Sequence, residues 1–138
     1  MLKRKVWRTE KAGAISRLML IEEPLAELAD DEVRVAVKAV GLNFADIFAL
    51  TGLYSATPKG SFIPGLEYSG VISKVGDDCQ QFKVGDRFMA MTRSGGYSSI
   101  VQSKEDYLIA LPEQWIFAQV ATYLTMYLKH ISEPTRHY

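Results

Sequence analysis

A chain of 138 residues, 48% of them hydrophobic, is long enough for one compact domain with its own core and short for two. Sixteen Lys and Arg balance sixteen Asp and Glu, so no net field draws the chain to nucleic acid or to an anionic membrane. The single cysteine, Cys79, cannot form an internal disulfide, no run approaches the roughly 20 apolar residues of a membrane span, and "MLKRKVWRTEK" lacks the apolar stretch of a secretion signal. A reduced, cytoplasmic setting is the expectation.

Taken in chain order, the first feature is a small basic group, Lys3, Arg4, Lys5 and Arg8, read as the solvated edge of a strand. Lys5 to Thr9 and Arg17 to Ile21 are short strand candidates able to form a hairpin across Gly13. In "DEVRVAVKAVGL", Val33, Val35, Val37 and Ala39 alternate with Arg34, Ala36, Lys38 and Val40, the period of a half-buried strand. After Gly41 the period changes. Phe44, Ile47, Phe48 and Thr51 fall at helical spacing, Asn43 stands where an N-cap belongs, and Gly52 closes a helix of two turns. Leu66 to Val75 reads as strand again, followed by a turn entering "RFMAM", by "YSSIVQ" after Gly95 and Gly96, and by "DYLIAL" before Pro112. Short strands separated by glycine turns, without regularly alternating helices, predict a mainly β, α+β domain with a small barrel or sandwich. From Glu113 to Glu133, apolar residues such as Ile116, Val120, Leu124 and Ile131 recur every three or four positions, an amphipathic helix ending near Pro134. Core packing is the plain reading of that stripe; pairing with a second copy or another protein is the alternative.

Chemical motifs are sparse. No GxGxxG opens a helix after a strand and no GxxxxGK[ST] occurs, so a backbone cradle for phosphates is not encoded. With one Cys and two His, His130 and His137, a zinc site of three or four nitrogen and sulfur ligands is not expected. His130 reads as a helix-end residue favoured by the dipole. Cys79, beside Asp77 and Asp78, reads as an inert thiol.

Three ordered segments, "VAVKAVGLNFADIFALTGLY", "FIPGLEYSGVISKVGDDCQQFKVGDRFMAM" and "LPEQW", resemble the N-terminal GroES-like domain of medium-chain dehydrogenases and reductases. Within that superfamily the chain is most similar to the zinc-independent quinone oxidoreductases, especially the branch around the vesicle amine transport protein. The resemblance covers about residues 4 to 128. It implies a partly open GroES-like β-barrel over 1–112, then the helix of 113–133 leading to a Rossmann coenzyme domain, with 134–138 as a tail. It also implies NADPH as cofactor, a quinone or enone as substrate and no zinc. Asn43 and Leu66 stand where zinc-dependent members carry a Cys and a His, and neither replaces those ligands.

By the same resemblance, Asn43 and Thr125 would face the nicotinamide and Tyr54 would line the substrate pocket, with no residue assigned as catalytic acid or base. The residues alone leave other roles open: Asn43 as a helix cap, Tyr54 as a half-buried loop aromatic, Thr125 as a helix-surface residue. Glu67, a carboxylate heading an apolar strand, is expected in a salt bridge or hydrogen bond. Since the chain stops at Tyr138 without the pyrophosphate motif, inactivity as a reductase on its own is the expectation. The rival reading is a non-enzymatic interaction module, with a homodimer through the C-terminal helix as one form of it.

Overall fold

The computed structural model describes residues 2–53, 57–112 and 114–117. Strands β1 (Lys3–Arg8) and β2 (Met19–Pro24) form the expected antiparallel hairpin, joined by a turn of 3-10 helix at Ile15–Arg17. Arg4 and Arg8 do not simply dissolve in solvent. Their Nη2 atoms donate to the Glu23 carboxylate at 2.8 and 3.0 Å, fastening one strand of the ribbon to the other.

The remaining strands, β3 (Glu32–Gly41), β4 (Glu67–Val75), β5 (Arg87–Met91), β6 (Ile100–Lys104) and β7 (Leu108–Ala110), form one antiparallel sheet in the order β6-β3-β4-β5-β7. The alternation read in the sequence of β3 is real: Val33 and Val35 are wholly buried while their neighbours are partly exposed. Together with Tyr68, Ile72, Phe88, Ala90 and Leu108 they make the core, in which the Tyr68 and Phe88 rings meet edge to face at 5.6 Å. Two register shifts in the pairing of β3 with β4, at Arg34/Val35 and Val37/Ala39, bend β3. Past the bend, residues 97–99 take over from β6. The Ser99 carbonyl accepts from Val37 N–H and the Ser99 N–H donates to Lys5 O, so this segment links the five-stranded sheet to β1.

Strand β4 departs from simple alternation, since Glu67, Tyr68, Ser69 and Gly70 are all buried. Tyr68 faces the core, whereas Glu67 and Ser69 share the opposite face. That face is covered too, by the turn entering helix α1 (Phe44–Thr51) and by residues 115–117. Ser69 Oγ donates to Phe117 O at 2.8 Å, and Arg87 donates to Trp115 O while its guanidinium lies 4.6 Å from the centre of the Phe117 ring. Trp115 and Phe117 are thus fastened to the sheet. The long helix expected over 113–133 otherwise lies outside the described residues, as does the tail.

Candidate functional site

The site expectation centred on Asn43, and the fold gives that residue an unusual neighbour. Asn43 is extended at the N-cap of α1, and its Nδ2 donates to Glu67 Oε1 at 3.0 Å. Glu67 is 1% exposed. A carboxylate buried to that degree needs hydrogen-bond donors, and the Asn43 amide is one of them. The approach depends on Gly41, because a Cβ there would lie 2.2 Å from Glu67 Oε1. The expectation that Glu67 is hydrogen-bonded therefore holds, with Asn43 as a partner that strand and helix periodicity did not reveal.

Asp46, three residues into the helix, is 3% exposed and was not singled out in the sequence. Its Oδ2 accepts from Asn43 N–H at 3.0 Å and from the Tyr97 hydroxyl at 2.6 Å. The first contact was legible as the Asn-x-x-Asp spacing of a helix start. The second was not, since Tyr97 comes from a loop 51 residues away. Burial and the adjacent Asp46 both push the Tyr97 hydroxyl well above the usual tyrosine range.

Gly65 explains how Tyr97 arrives. Its φ of +113° suits glycine, and a Cβ would lie 2.7 Å from Tyr97 N, so 63–65 and 95–97 can pack backbone to backbone. Gly95 N–H donates to Ile63 O at 2.7 Å and Tyr97 N–H to Pro64 O at 2.9 Å.

Around this polar group the surface is apolar. Helical spacing placed Phe44, Ile47 and Phe48 on one face, but that face is exposed, at 79%, 44% and 47%, while Asp46 and Leu50 point inward. Leu42 and Leu53 are exposed beside them. A narrow crevice of about 10 Å³ lies between α1 and the 62–66 segment, with Asp46, Leu66 and Arg93 in its wall. A larger groove of about 430 Å³ between the β1–β2 ribbon and the end of β3 is walled by Trp7, Leu20, Val40, Leu42 and Tyr97. Tyr97, which bonds to Asp46, and Leu42, the neighbour of Asn43, both line that groove, so the polar group lies beside it.

Tyr54 and Thr125 lie outside the described residues, so of the three predicted site residues Asn43 alone is placed. Cys79 is far from this site in the fold, its Sγ 3.3 Å from Glu32 O. Burial, and then the nearby Glu105, Asp31 and Asp78 carboxylates, raise its pKa, which fits the inert thiol read from the sequence. Among the described residues no group of three or more His, Cys, Asp or Glu side chains could hold a metal ion, and no helix is long and apolar enough to cross a membrane.

An open, mainly antiparallel sheet curled onto a hairpin, with one short helix capping a buried carboxylate, defines an α+β domain of the GroES-like type. The description "Alcohol dehydrogenase GroES-like domain" matches residues 29–113. The chain belongs to this family, and within the medium-chain dehydrogenase/reductase superfamily it falls on the quinone oxidoreductase branch. It is 30% identical over 111 residues to the human synaptic vesicle membrane protein VAT-1 homolog-like, which covers 80% of this chain and 26% of that protein. To the quinone oxidoreductase of Salmonella typhimurium it is 39% identical over 114 residues, covering 80% of this chain and 34% of the relative. The Escherichia coli quinone oxidoreductase, solved in complex with NADPH, superposes with a TM-score of 0.81 at 32% identity over 94% of this chain and 40% of that one. The chain thus spans 26% to 40% of the length of these relatives.

Proposed function

We propose that this chain is the substrate-side domain of an NADPH-dependent, zinc-independent quinone oxidoreductase, acting on a quinone or enone. The observation that carries the reading is the setting of Asn43: a side-chain amide held on a buried carboxylate and flanked by the exposed apolar side chains of Leu42 and Phe44. A polar amide beside an apolar surface suits a nicotinamide ring and its carboxamide. NADPH, when bound, supplies the hydride. The chain's own residues supply orientation: Asn43, with Thr125, would face the nicotinamide, and Tyr54 would hold the acceptor.

The donor set does not fit zinc. Leu66 has no ligating atom, the Asn43 amide is engaged by Glu67, and Cys79 is spent elsewhere on backbone carbonyls. A quinone needs no metal to accept a hydride, because its own conjugation spreads the developing charge. The chain also carries no GxGxxG cradle, so turnover requires a coenzyme-binding unit in addition to these residues.

Three measurements on the purified chain test this reading. Adding NADPH up to millimolar concentration should shift the Asn43 side-chain amide signals in an NMR spectrum, and their failure to move would overturn the nicotinamide contact. NADPH oxidation followed at its absorbance band with a simple quinone should stay at the blank rate; a rate above blank would refute the need for a further unit. Stoichiometric zinc in the purified protein would refute zinc independence.

The exposed α1 face supports a second reading, a non-enzymatic interaction module, for which self-association through residues 113–133 is one form. A clean monomer in sedimentation velocity would count against it.

A further inference from the structure

The bond between Tyr97 and Asp46 is more than a helix cap requires. Asp46 already satisfies the start of α1 by accepting from Asn43 N–H, a contact three residues long. The Tyr97 hydroxyl, at 2.6 Å on the same Oδ2, ties that local cap to a distant loop. Asn43 is therefore held from both ends: its backbone through Asp46 to Tyr97, and its side chain by Glu67 Oε1. With Glu67 packed where a Gly41 Cβ would otherwise stand, the amide has little freedom to turn.

We propose that Tyr97 and Asp46 are positioning residues: the relay from Tyr97 through Asp46 to Asn43 sets the orientation in which the Asn43 amide is held against Glu67. Its consequence for hydride transfer, an amide already aimed before the nicotinamide arrives, rests on the function proposed above.

Asn43 is the sole asparagine in the chain, so selective 15N-asparagine labelling gives one side-chain amide pair, unambiguous without assignment. Gln102, whose Nε2 donates to Ala26 O at 3.2 Å across the molecule, serves as an internal control when glutamine is labelled as well. Tyr97→Phe removes only the hydroxyl. It should speed solvent exchange of the Asn43 side-chain amide by up to about tenfold, the ceiling set by the hydrogen bond lost from the Asp46 carboxylate, and leave Gln102 unchanged. Asp46→Ala should do the same, whereas Asp46→Asn, which keeps an acceptor oxygen, should retain most of the protection.

An Asn43 exchange rate unaltered in Tyr97→Phe overturns the relay. So does equal acceleration at Asn43 and Gln102, which marks general loosening. If Asp46→Ala fails to fold, Tyr97→Phe decides alone. Loss of the NADPH-induced shift in the unmodified chain would instead sink the nicotinamide contact while leaving the relay intact, so the two ideas fail separately.

Discussion

At the scale of single residues, burial sets the chemistry. Tyr68 lies in the core and its hydroxyl is pushed up to about 12 by burial; Tyr97 is pushed up in the same direction by burial and by Asp46. A tyrosine whose pKa is higher folded than unfolded favours the fold while it is protonated. That contribution is complete below the unfolded value of about 10 and is lost as pH rises through the folded value. Thermal stability should accordingly fall between pH of about 10 and 12, and Tyr97→Phe should shallow the decline. A melting temperature flat across that range would contradict the assignment. Gly41→Ala tests the space beside Glu67: displacing a buried carboxylate should cost about 1–3 kcal/mol, read from chemical denaturation. A cost near zero would mean that the Glu67 side chain can move aside freely.

Among the elements, the β1–β2 ribbon shows how a basic sequence becomes a joint. Burial alone would raise the Glu23 pKa, but hydrogen bonds from Arg4 and Arg8, with their charges, outweigh it and lower the pKa. The stability this provides is present above the unfolded carboxylate value of about 4.3 and disappears as pH falls through the lower folded value. Glu23→Gln should cost no more than about 1 kcal/mol at neutral pH, because the pair is partly exposed, and should reduce the acid sensitivity of the protein. An unchanged acid limb in the variant would show that other carboxylates govern it. Helix α1 was legible from Asn43 at its start and from Gly52, whose φ of +83° ends it. Which face it buries was not legible. Phe44, Ile47 and Phe48 fall at helical spacing but are exposed, whereas Asp46 and Leu50 are buried, Asp46 with the Tyr97 hydroxyl as a donor.

On the scale of the whole molecule, the five-stranded sheet carries the main core cluster, and Phe88 sits within it at 0% exposure. Phe88→Ala should cost about 3–5 kcal/mol and lower the single unfolding transition as a unit. Two separated transitions would show that the ribbon and the sheet unfold independently. Strands were legible from local pattern, since β3 alternation and glycine-bounded runs are local properties, and the ordered motifs around Asn43 and Leu66 carried the family. How those motifs cohere depends on segments that meet in space. Glu67 is buried because its strand is covered on both faces, and Asn43, Asp46 and Tyr97 meet because Gly65 lets two loops touch. Contacts between residues 24 and 51 positions apart depend on how backbones approach in space, and no local period records that.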